Sequence, residues 1–194
     1  MKKRLQVFAA SFLLCASSTV AQHALLDVTS SARVAFGFHT SPGTQAMLRQ
    51  EGRLLAVAGT ISSGGWTSVR HVFREPRDLT PYQSVELILT VGAGVGLKPR
   101  VTLLDHTAAG GDEFFWLTFR AFDATGPYRA CGVIREDSVL GFGQGSRRND
   151  GQLKSPLVGY EVNLLNQEPG AVSETFEITI QRLTLHQSKN CSDP

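Results

Sequence analysis

The chain has 194 residues, with 19 Lys and Arg against 17 Asp and Glu and a formal net charge of +2. Three of the basic residues, Lys2, Lys3 and Arg4, sit in a segment read below as a cleaved leader, so the mature charge falls to −1. That balance excludes the basic footprint of a nucleic-acid binder, no apolar run is long enough for a membrane helix, and the length fits one domain.

In chain order, Lys2 to Arg4 form a positive n-region and Leu5 to Ala16 an apolar stretch of signal-peptide length. Thr19-Val20-Ala21 matches the small-residue cleavage pattern. Residues 1–21 are therefore read as a signal peptide and 22–194 as a single β-sandwich domain, secreted or periplasmic. Leu14 before Cys15, where a small residue would be wanted, argues against lipidation.

Candidate strands then recur between turn signals. Arg33 to His39 is stopped by Thr40-Ser41-Pro42-Gly43, and Arg53 to Ile61 by Ser62-Ser63-Gly64-Gly65. Trp66 to Phe73 follows, then a polar loop from Glu75 to Pro81. Gln83 to Val91 alternates strictly: Val85, Leu87, Leu89 and Val91 point one way and Ser84, Glu86, Ile88 and Thr90 the other. Such a period of two marks a half-buried strand. The glycines at 92, 94 and 96 read as a hairpin turn, since no helix follows to hold a phosphate. Arg100 to Asp105 and Glu113 to Phe122 form the next pair; Val158 to Leu165 and Thr175 to His186 complete the set. The glycine-rich run from Ser138 to Ser155 reads as a surface or rim loop. Many short strands with Gly/Pro punctuation predict an all-β jelly-roll sandwich of two antiparallel sheets.

The mature chain holds two cysteines, Cys131 and Cys191. An oxidising compartment allows them to pair or leaves two unrelated thiols, and the reading favours the disulfide. Without any CxxC and with scattered histidines, a zinc site is not expected.

Gly64-Gly65-Trp66-Thr67-Ser68-Val69-Arg70, then Asp78-Leu79-Thr80-Pro81-Tyr82, then Val85-Glu86-Leu87, resembles the complex I intermediate-associated protein family and its galactose-binding-like jelly roll. The closing Ile178 to Leu185 is similar to the final strand of these modules and of related carbohydrate-binding modules. The resemblance implies the sandwich fold. It leaves open a sugar-binding or an assembly role, because one sandwich hosts both. The Gly-Asp-Gly turn common in that family is replaced here by Gly92-Ala93-Gly94-Val95-Gly96, without the Asp.

Glu113 to Arg120 is the strand with the most suggestive chemistry. Phe115, Leu117 and Phe119 share one face, and Phe114, Trp116, Thr118 and Arg120 the other. An outward indole stacks on the C–H patches of a sugar while a guanidinium fork bonds hydroxyls; the competing reading covers Trp116 with a loop. Trp116 and Arg120 are thus the leading ligand-binding candidates, with Glu86, Arg70 and Gln181 as neighbours. Arg70 also suits a plain cross-strand ion pair with Glu86.

No catalytic arrangement stands out. There is no Gly-x-Ser-x-Gly elbow, and a carboxylate pair drawn from Glu86, Glu113 or Glu161 has no spacing argument behind it. No cofactor is expected beyond a structural calcium, with Asp27, Glu174 or Glu177 as oxygen ligands. The leading reading is an exported, non-catalytic, monomeric module whose partner is carbohydrate. The alternative is a protein-interaction or assembly module with a protein partner, and the third an enzyme acting on polysaccharide.

Overall fold

A computed structural model describes residues 22–27, 36–51, 54–106, 112–141, 152–167 and 170–191. The proposed leader, Arg33 to Ala35 of the first predicted strand, and most of the 138–155 loop lie outside them. Twelve strands are described: β1 Gln22–Asp27, β2 Gly37–Thr40, β3 Gln45–Glu51, β4 Leu54–Ile61, β5 Trp66–Arg77, β6 Ser84–Ala93, β7 Lys98–His106, β8 Asp112–Thr118, β9 Gly126–Val133, β10 Val139–Leu140, β11 Leu157–Leu165 and β12 Glu174–His186. A single helical turn, α1 Ile134–Asp137, precedes β10.

The strands form two six-stranded antiparallel sheets. In the first the order is β3-β4-β12-β6-β9, and β1 lies beside the second half of β12, beyond the end of β4. In the second the order is β10-β8-β7-β11-β5-β2. The alternation of β6 is the reason the sheets stack. Val85, Leu87, Leu89 and Val91 all sit at 1% exposure or less. They join Val69, Val101, Leu103, Phe115, Leu117, Tyr160 and Val162 from the second sheet in one core.

The last strand keeps its apolar side inward through a bulge. Phe176, Ile178 and Ile180 are core residues at even positions; Leu183 and Leu185 are core residues at odd ones. An unbroken period of two would push one set into water. The register slips between Ile180 and Arg182, so Gln181 is the extra residue and both halves face inward. Val158 does the same for β11, where Leu157 and Tyr160 are both buried in the core although their spacing is odd.

Several expectations are corrected. β5 continues through Glu75 to Arg77, where a polar loop is expected, because Arg77 still pairs with Leu157. The Glu113 to Phe122 strand stops at Thr118. The glycine turn after β6 is no hairpin. It carries the chain from the first sheet to the second, with Gly94 and Gly96 at φ +103° and +97°, a region that favours glycine. A Cβ on Gly94 would also lie 2.8 Å from that of Phe176. β1, β3, β9 and β10 have no counterpart in the predicted set. Arg70 and Glu86 are not cross-strand neighbours, since β5 and β6 belong to different sheets. Asp27 pairs in register with Arg182, eight positions along β12 from Glu174, or roughly 26 Å at strand rise. Among the described residues no cluster of three metal-ligating side chains occurs.

Cys131 and Cys191 form a disulfide, with Cα atoms 5.9 Å apart. It fastens the tail after β12 onto β9 at the edge of the first sheet. Ser84 donates to the Ser188 carbonyl at 2.6 Å and Arg129 to that of Cys191 at 2.7 Å.

Candidate functional site

Register on the second sheet sets which side chains leave its outer face. One row reads Arg70, Glu161, Thr102, Trp116 across β5, β11, β7 and β8. The next reads His39, Ser68, Asn163, Arg100, Thr118, starting from β2. A third reads Val72, Gly159, Leu104, Phe114. The face away from the core is thus mostly polar, with two aromatic rings on β8.

Its middle is nonetheless out of reach of water. Thr102 is 1% exposed, Ser68 2%, and Glu161 and Asn163 7%. Polar groups this buried need partners. Asn163 Nδ2 donates to Thr102 Oγ1 at 3.0 Å, and Glu161 is held by the guanidinium of Arg70. Arg70 reaches across the outer face: its Cζ lies 5.4 Å from the Phe114 ring centroid, although the two strands are three spacings apart. Central β11 carries its bulge at Val158, followed by Gly159 without a side chain. Arg70 on β5 and Phe114 and Trp116 on β8 thus border the polar strip of Glu161, Asn163 and Thr102, a trough between side chains.

Trp116 stands on its β8 side, partly exposed. The Arg100 guanidinium lies 4.1 Å from the indole centroid, and Arg100 Nε donates to Thr118 Oγ1 at 3.0 Å. Edge strand β10 brings Gly141 against the same ring, anchored by its N–H to the Phe114 carbonyl at 2.7 Å. A Cβ there would lie 2.1 Å from Trp116 Cε2, so only glycine fits beside the indole. Gly141→Ala should force the ring to turn while leaving the core intact. Near-ultraviolet circular dichroism should change and the melting temperature should hardly move; an unchanged tryptophan signal would contradict this packing.

The other candidates separate. Arg120 is two residues past the end of β8, 84% exposed and 3.6 Å from Asp123; its carbonyl accepts from Tyr128 of β9, in the connection to the other sheet. The guanidinium beside Trp116 is that of Arg100, which the sequence placed on a strand without assigning it a role. Glu86 and Gln181 lie on the outer face of the first sheet. Glu86 is buried beside Arg129, with Arg182 at 3.2 Å and His186 Nε2 at 3.4 Å, and Gln181 donates to Thr90 Oγ1 at 2.8 Å. They cannot share a ligand with Trp116. The three glutamates considered for hydrolysis fall in three places. Glu161 is in the trough, Glu86 on the other sheet, and Glu113 opposite Asp105 on the inward side of β8.

Solved structures share this architecture. A family 11 carbohydrate-binding module of a cellulosomal cellulase from Clostridium thermocellum superposes with a TM-score of 0.64 at 12% identity, over 87% of this chain and 95% of that one. The same family in complex with a β-1,3-1,4-mixed-linked tetrasaccharide gives 0.64 at 11%, over 87% and 96%. A family 30 module, also from a Clostridium thermocellum cellulosomal cellulase, gives 0.56 at 10%, over 89% and 100%. This chain has the jelly-roll fold of those modules. No family model and no curated protein matches it by sequence. The resemblance of residues 64–87 to the complex I intermediate-associated family therefore gains no support, while the carbohydrate-binding-module likeness of the fold stands. The chain spans nearly the whole of each of these modules, so the likeness is of one domain to one domain.

Proposed function

We propose that this chain is an exported, non-catalytic carbohydrate-binding module that takes a glycan in the trough of its second sheet. The observation that carries the reading is Trp116 standing beside the guanidinium of Arg100 above a hydrogen-bonded polar floor. An indole edge supplies apolar contact for sugar C–H groups, and the guanidinium, amide and hydroxyl groups suit ring hydroxyls. Arg70 closes one wall. The fold shared with carbohydrate-binding modules supports the reading, as does the lone acidic row residue, Glu161, engaged with Arg70. Hydrolysis ordinarily calls for two carboxylates facing one bond. The leader-like residues 1–21 support export.

Calorimetric titration against a panel of neutral and acidic oligosaccharides tests it. Trp116→Ala should weaken binding by about tenfold or more, in line with losing the aromatic contact, with the β-sheet fold retained by far-ultraviolet circular dichroism. Undiminished affinity in that variant would move the site off this face. Failure of every glycan to bind would end the reading.

A further inference from the structure

Arg100 and Arg70 share the trough but not its chemistry. Arg70 has its counter-ion, Glu161, one strand away in the same row. Arg100 is half-buried in the middle of the face, on the strand next to β8, and among the described residues no carboxylate pairs with it. Its Nε is taken by Thr118 and its plane is laid against Trp116. Both contacts fix the guanidinium and neither neutralises it. Burial lowers its pKa from the usual value. A half-buried cation with no carboxylate beside it among the described residues is costly. Here two contacts hold the fork still: Nε donates to Thr118, and the guanidinium lies over the indole. Such a fork matches a planar oxyanion in two parallel bonds.

We propose that the glycan recognised by this trough is acidic, with a sugar carboxylate or sulfate seated on Arg100. The inference rests on the carbohydrate-binding reading and narrows it to a charge class. Arg100 sits where Trp116 would align a sugar ring, so one residue of the glycan meets ring and cation together. Asn163, directly opposite Arg100 in register, and Thr118 flank the position for hydroxyls. Arg70 adds no second anion site because Glu161 already occupies it.

The test compares four probes by calorimetry: an oligogalacturonate, its fully methyl-esterified form, a sulfated galactan oligosaccharide and a neutral mixed-linked β-glucan oligosaccharide. Oligogalacturonate or sulfated galactan should bind at least about tenfold more tightly than the uncharged probes, the worth of one charge-assisted bond pair. Added salt should weaken that binding, and R100Q should erase the preference. The carboxylate and sulfate arms decide which oxyanion is meant. R100K keeps the charge but loses the fork, and should retain part of the preference; with the salt titration it keeps the proposal testable if R100Q fails to fold. Neutral probes binding as tightly as acidic ones, or an acidic preference that survives in R100Q, would overturn the proposal and leave the glycan module standing. Absence of binding by all four probes and the wider panel would remove both.

Discussion

Replacing Cys131 and Cys191 together by serine should lower stability by about 4 kcal/mol, the chain-entropy value for a loop of this length. The bond spans 60 positions and ties β9 to the tail beyond the last strand. Without it the unfolded chain regains the freedom that the loop had lost. Among the described residues the folded tail keeps its hydrogen bonds from Ser84 and Arg129 and the ion pair between Lys189 and Glu136. That pair is exposed on both sides and contributes little. Urea unfolding of the double variant, and of the native protein with and without reductant, measures the difference. At a few degrees per kcal/mol for a domain of this size, the melting temperature should fall by about 10 °C. A loss below about 1 kcal/mol would mean that the tail is held by its packing and not by the covalent link.

Removing the Glu86 carboxylate is the second large expectation. Glu86 is 1% exposed on the outer side of the first sheet, beneath two arginines and beside His186. Breaking a fully buried ion pair costs roughly 3–5 kcal/mol because the remaining charge is stranded. Here the arginines keep a way out, with Arg129 61% and Arg182 46% exposed. Glu86→Ala should therefore cost about 2–3 kcal/mol, below that range. Glu86→Leu should recover part of it by filling the space. Glycan affinity should stay within about twofold in both, because this carboxylate lies on the sheet opposite the trough. A tenfold loss of affinity without a loss of stability would place a ligand on the first sheet and undo the assignment of the site.

Much of the fold is legible in the residues, and the reasons differ from strand to strand. β6 announces itself because four apolar side chains alternate with four others over eight positions, and the core side of β8 follows the same rule. β3 and β9 pass unseen. Gln45–Glu51 holds no β-branched residue, and Gly126–Val133 opens with Gly-Pro and has one. Both are edge strands, where half the backbone faces no partner and side-chain patterning is weakly constrained. Sheet membership is not in local pattern at all. The turn at Gly92 to Gly96 reads as a hairpin because its residues suit any reversal, and only the pairing of β6 with β12 and of β7 with β11 sends the two strands to opposite layers. The site follows the same logic. The outward direction of Trp116 is a matter of parity along one strand, so sequence supplies it. The choice of Arg100 over Arg120 as its neighbour depends on cross-strand register between β7 and β8, which no single segment encodes. A signal for Arg100 did exist in its own strand, where Arg100 and Thr102 alternate with Val101 and Leu103 and so put a cation on a central polar face.

The slip at Gln181 carries a consequence for the length of the chain. Residue 181 is the only one between Ile180 and Arg182 without a partner on β6, so excising it would restore an unbroken alternation in which Phe176, Ile178, Ile180, Leu183 and Leu185 still turn toward the oily layer. Removing any one residue from the neighbouring stretch of β6 would instead invert half of that strand. The final strand thus contains a spare tooth in its ratchet, a point at which the sandwich tolerates a chain one residue shorter without exchanging its inside for its outside.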